Sequence, residues 1–101
     1  MTYASSIAAL ADPTRRRLFD RLRTRPHAVG ELATYLRVTQ PAVSQHLAVL
    51  RRARLVKSRP DGRRRLYRPD PAGIAALREY VDQMWTDVLA AYAESFEESS
   101  P

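Results

Sequence analysis

Cysteine is absent from the 101 residues. That excludes a disulfide scaffold and a thiolate metal site. Only three glycines are present, too few for a glycine-rich loop that cradles phosphate. The two histidines, His27 and His46, fall on different predicted elements. Neither has a second ligand at helical spacing, so no metal and no cofactor is expected. No nucleophile has a base at a useful spacing and no carboxylate pair sits in an apolar setting, so an enzyme is not expected. Long apolar runs are missing too, and none approaches the roughly 20 residues that span a bilayer. The short run at Ile7–Leu10 precedes the arginines at 15–17 instead of following them, which is the wrong order for an export signal. A soluble cytoplasmic protein without a membrane partner is expected.

Acidic residues are scarce where basic ones are dense. Residues 12–68 hold 16 Arg or Lys against 4 Asp or Glu, a balance of +12, and residues 69–101 carry −6. A basic body with an acidic end points to a polyanion partner for the body. Solubility alone is the alternative. With 45% apolar residues the chain is globular, and its length fits one domain over residues 1–101.

Ile7, Ala8 and Leu10 predict a short first helix ending near Ala11. Asp12-Pro13 then restarts the chain with an N-cap followed by a proline at the first helical position. Leu18, Phe19 and Leu22 give the buried stripe of this second helix, predicted to end near Arg25-Pro26. Leu32, Ala33 and Leu36 mark a third helix. Arg37-Val38-Thr39 is a tight connection into a fourth, with Thr39 as cap and Pro41 in the first turn. The third and fourth make a helix-turn-helix candidate over about residues 29–53.

Beyond Leu55 the period changes. LVKSRPDGRRRLYRP reads as a hairpin over about residues 55–69, with Asp61-Gly62 expected at its two turn positions. Asp70-Pro71 repeats the cap-and-proline start, and a long helix follows over about residues 71–97. The fold class is mainly α with a small β-hairpin: a winged helix-turn-helix with N- and C-terminal dimerisation helices.

Four constellations carry chemistry. On the fourth helix, Val43, Leu47 and Leu50 form the apolar stripe, while Gln40, Ser44 and Gln45 lie on the other side. A helix in the major groove needs groups that hydrogen-bond base edges without repelling phosphate, and Gln and Ser are such groups. A carboxylate there would face phosphates, and none is present. Thr39 sits at the N-terminus, where a phosphate is also welcome. His46 either reaches a phosphate or packs half-buried. Arg51 and Arg52, at the far end, suit phosphate contact. An ordinary solvated face is the alternative for the whole set. Second, Arg63, Arg64 and Arg65 put charge at the hairpin tip, to lie along the backbone or enter the minor groove. The alternative is a charged edge that blocks strand addition. Alternation is expected to put Arg63 and Arg65 on the face of Tyr67, and Arg64 on that of Leu66. Third, Arg15, Arg16 and Arg17 either contact phosphate or stay solvated. Fourth, the long helix has apolar residues on more than one face. Leu77, Val81, Met84, Trp85, Val88 and Tyr92, with Phe96 beyond them, are expected to meet a second copy of the chain, joined by Tyr3, Ile7 and Leu10. The alternative is that this helix folds back on its own body. The carboxylates Asp82, Asp87, Glu94, Glu97 and Glu98 are expected to sit away from DNA.

ADPTRRRLFDRL, VGELATYLRVTQPAVSQHLAVLRRARLV and RPDGRRRLYRPDP, in this order, resemble the ArsR-type winged-helix repressors of bacteria, over roughly residues 5–92. The resemblance implies a homodimer that binds double-stranded DNA at an operator with inverted symmetry and represses transcription. It places Gln40, Ser44 and Gln45 on the base-reading positions and Arg63–Arg65 on the wing. The family's founding members sense metals through cysteines on the helix before the turn, or through Asp, Glu and His on the last helix. This chain has neither set complete and resembles the metal-free branch, with no inducing small molecule identified. A winged helix that binds RNA or protein, and a metal-responsive repressor with an atypical site, are the alternatives.

Overall fold

The computed structural model describes the backbone of residues 3–99 and the side chains of residues 5–93. The elements run α1 (Tyr3–Ala11), α2 (Pro13–Leu22), α3 (Val29–Leu36), α4 (Gln40–Arg52), β1 (Val56–Asp61), β2 (Arg64–Pro69) and α5 (Pro71–Ser99). α1 to α4 pack around one core in which Leu18, Leu22, Leu32, Val43, Leu47, Leu50 and Leu55 are fully buried.

Local chemistry sets the boundaries. Asp12 Oδ2 accepts from the Arg15 N–H at 2.9 Å and Pro13 opens α2. Thr39 Oγ1 accepts from the Ala42 N–H at 3.3 Å and starts α4. α2 stops at Leu22, three residues before the expected end. There the Thr24 hydroxyl donates to the Arg21 carbonyl at 2.7 Å and closes the last turn, well ahead of Pro26. α3 and α4 both end at an arginine in the left-handed region, Arg37 at φ 58° and Arg54 at φ 60°. At the second of these, the Leu55 N–H reaches back to the Leu50 carbonyl and the Arg54 N–H to the Arg51 carbonyl, each at 2.9 Å. This double bond pattern is a Schellman end.

The hairpin corrects one expectation. Asp61 pairs with Arg64, so the loop residues are Gly62 and Arg63, one step beyond Asp61-Gly62. Only Gly62 has positive φ, at 63°, so the glycine occupies the first loop position and Asp61 closes β1. Arg63 therefore sits in the loop and shares no strand face with Tyr67. The hairpin is also wider than two strands. His27 exchanges both backbone bonds with Tyr67, at 3.1 and 2.8 Å, which ties β2 to the segment between α2 and α3.

α5 leaves from a tight corner. The Asp70 N–H donates to the Leu55 carbonyl at 2.9 Å, and a Cβ added at Gly73 would lie 1.6 Å from the Arg54 carbonyl oxygen. Ile74 and Leu77 still pack on the core, and beyond them the helix projects into solvent. The molecule is accordingly 66 Å long but only 25 and 23 Å across. Among the described residues no helix is long and apolar enough to cross a membrane.

Candidate nucleic-acid interface

α4 divides as its sequence pattern requires. Val43, Leu47 and Leu50 are at most 1% exposed and fix the helix to the body. Thr39, Gln40, Ser44 and Gln45 are exposed on the opposite side, over the first two turns. His46 is half-buried between the two faces. The Asp12 carboxyl lies below the usual carboxylate range, held first by the Arg15 N–H and also by the positive potential of Arg15 and His46. Arg51 and Arg52 are exposed in the last turn of α4, where positive charge complements the helix dipole.

The three wing arginines do not form one cluster. Arg63 sits in the exposed loop and makes no hydrogen bond or ion pair with the described residues. Arg64 lies 3.3 Å from Asp61 and 3.7 Å from Glu31. Arg65 donates from Nε to the Ser58 hydroxyl at 3.1 Å across the hairpin. Of the run on α2, Arg16 and Arg17 are exposed, but Arg15 is half-buried and donates from Nε to the Ala9 carbonyl at 2.8 Å. Arg15 therefore ties the end of α1 to α2.

Two groups escaped the sequence reading. One surrounds Glu31: its Oε1 accepts from the Ala28 N–H at 3.0 Å and its Oε2 from Arg25 at 3.1 Å. A serine or threonine three residues before this glutamate would have signalled a capping box, but position 28 is alanine. The other is Tyr35, which stacks under the Arg21 guanidinium at 4.3 Å.

On α5 the side chains of Val81, Met84, Trp85, Val88, Leu89 and Tyr92 are exposed, Trp85 by 62% and Tyr92 by 70%, and Ile7 of α1 is exposed as well. Large contiguous apolar patches are uncommon on soluble monomers. Leu10 and Leu77, expected on the same surface, are partly buried and pack against the protomer's own core, since both lie where their helices still touch the body. The side chains of Tyr3, Glu94, Phe96, Glu97 and Glu98 lie outside the described residues.

A family described as bacterial regulatory protein, arsR family, matches residues 12–58, which are α2, α3, α4 and the start of β1. HTH-type transcriptional regulator Rv2034 of Mycobacterium tuberculosis is 58% identical over 86 residues, covering 85% of this chain and 80% of that protein. This chain belongs to the arsR family. Structural likeness extends past the matched region. An ArsR-like transcriptional regulator from Rhodococcus sp. RHA1 superposes with a TM-score of 0.87 at 28% identity, over 97% of this chain and 92% of that one. The homodimeric winged helix-turn-helix DNA-binding domain of Mb0332 from Mycobacterium bovis superposes with a TM-score of 0.68 at 31% identity, over 83% and 77%. As an arsR-family member the chain is a transcriptional regulator, and its α3–α4 pair and hairpin are the helix-turn-helix and wing of that fold.

Proposed function

We propose that this arsR-family regulator is a homodimer that represses transcription by occupying an operator with inverted symmetry, and that its work is binding and not catalysis. The observation that carries this reading is α4. It is locked to the core by Val43, Leu47 and Leu50 while presenting Thr39, Gln40, Ser44 and Gln45 with no carboxylate among them. Gln40, Ser44 and Gln45 read base edges, Thr39 and His46 meet flanking phosphates, and Arg51 and Arg52 add phosphate contacts at the far end. Arg63, with Arg65 behind it, carries the wing to the backbone. The exposed apolar residues of α5 and Ile7 pair with the same surface of a second copy. Two α4 helices then face successive major grooves, about 34 Å apart.

The test begins with a duplex selected from a random pool by the wild-type protein and compared with a scrambled duplex by fluorescence polarisation. Gln45→Ala weakens the selected duplex by about tenfold to a hundredfold and leaves the scrambled one nearly unchanged. Equal weakening of both removes Gln45 from base reading. In the same assay Arg63→Ala/Arg65→Ala weakens both duplexes alike and flattens the salt slope by about 1 to 2.

A further inference from the structure

Glu31 is a carboxylate of α3 that lies between α4 and the wing. Its neighbour on α3, Gly30, lies beside the Gln40 side-chain amide at the start of α4, with 3.6 Å from that nitrogen to a Cβ built on the glycine. On its other side stands the wing, whose Arg64 places Nη1 3.7 Å from Glu31 Oε1. Glu31 also holds Arg25 at 3.1 Å. Two exposed guanidinium groups, Arg64 of the wing and Arg25 just before α3, are therefore turned toward a protein carboxylate. Both partners are more than half exposed, so their side chains are free to exchange one oxygen acceptor for another. A phosphate offers the same geometry to an arginine as a carboxylate does.

We propose that Glu31 is an internal competitor for DNA phosphate: it occupies Arg64 and Arg25 in the free protein and sets how much of the wing's charge the duplex gains on binding. The proposal rests on the DNA-binding reading above. Glu31 stays ionised throughout the pH range of binding, because the Ala28 N–H and then the Arg25 guanidinium hold its carboxyl below the usual range. Its bond to Ala28 also gives it a separate task, capping α3. Glutamine keeps an oxygen for that cap and removes the charge, so Glu31→Gln separates the two tasks.

The experiment is a two-by-two set on the full chain: wild type, Glu31→Gln, Arg25→Ala/Arg64→Ala, and all three changes together. Affinity for the selected duplex is measured from low to high salt. One released phosphate contact steepens the salt slope by about 0.9, which is roughly an eightfold tighter complex at 0.1 M salt and almost none near 1 M. Glu31→Gln is expected to show this gain, and to lose it when Arg25 and Arg64 are alanine. A gain of equal size in both backgrounds means that Glu31 acts only through the general field and overturns the proposal. No gain, or a loss, in the wild-type background overturns it as well. Asp61→Asn releases Arg64 from its other carboxylate without touching the α3 cap, and a smaller gain of the same sign is expected. Should Glu31→Gln fail to fold, the same cycle is run in an Ala28→Ser background, where the serine hydroxyl caps α3 in place of Glu31 and the same outcomes decide. A wild-type protein that binds no duplex at any salt removes the DNA-binding reading itself, which is distinct from a cycle that shows no coupling.

Discussion

Gly73→Ala is expected to be among the most damaging single-methyl changes available in this chain. Gly73 stands in the first turn of α5, where alanine is ordinarily the better helix former by about 1 kcal/mol. By propensity alone the substitution stabilises. The structure reverses the sign. The added Cβ would sit 1.6 Å from the Arg54 carbonyl oxygen and 2.6 Å from its carbon, where real contacts begin near 3.0 Å. Both atoms are backbone, in the Schellman end of α4, and have no rotamer by which to retreat. α5 must therefore move away by more than 1 Å, and the packing of Ile74 and Leu77 on the core moves with it. Overpacking against a rigid neighbour costs about 3 kcal/mol or more, roughly 12 °C or more in melting temperature for a chain of this size. Gly30→Ala is the internal control. Its Cβ meets only the Gln40 amide nitrogen at an ordinary 3.6 Å, so its stability is expected to stay level or rise by up to about 1 kcal/mol. Thermal and urea melts at one fixed protein concentration check both, since a dimer's melt depends on concentration. A Gly73→Ala protein as stable as wild type would refute the close approach of α5 to Arg54.

Two further outcomes follow from buried and exposed groups. The His27 ring is buried, its Nδ1–H donates to the Arg25 carbonyl at 2.7 Å, and its Nε2 has no partner among the described residues. Burial pushes its pKa below the ordinary 6.5, so the unfolded chain takes up the proton first. Stability is therefore lost as pH falls below about 6.5, with a slope from this group of at most about 1.4 kcal/mol per pH unit. Urea midpoints between pH 8 and pH 5 are expected to fall less steeply for His27→Gln than for wild type, and identical slopes would remove His27 from the acid sensitivity. On α5, Val81→Asp/Val88→Asp is expected to convert the dimer to monomer in sedimentation while leaving the far-ultraviolet spectrum of the body intact. Trp85 emission, shielded in the proposed dimer, is expected to move to longer wavelength in the same variant, and a variant that stays dimeric would place the interface elsewhere.

The sequence was most legible where local chemistry and burial agree. Thr39, Pro41 and the spacing of Val43, Leu47 and Leu50 are cap, first turn and core stripe at once, so α4 emerged with its faces assigned. Asp61-Gly62 announced the hairpin but not its register, because the strand pairing, and not the dipeptide, decides which residues enter the loop. Apart from the local Glu31 cap, the contacts that escaped are tertiary. Gly73 is constrained by a carbonyl 19 positions away, and His27 by a strand 40 positions away. Nothing in the local pattern of either residue records such a neighbour. Arg15 and Arg64 read as free charge because a run of arginines gives no sign of which one finds a carbonyl or a carboxylate. The packing of Leu10 and Leu77 against the body was not legible either, because periodicity reports an apolar face without saying how much of it its own core covers.

The corner at Arg54 and Gly73 also has a mechanical consequence. It joins the end of α4 closely to the start of α5, a 29-residue rod about 43 Å long. In the proposed dimer, the rods set the distance between the two reading helices. Tilting a rod of that length by about 5° shifts its tip by about 4 Å, close to the 3.4 Å step between bases along one strand. The corner thus acts as a vernier. In that proposed dimer, a tilt of this size at Gly73 is enough to move one half out of register with its half-site.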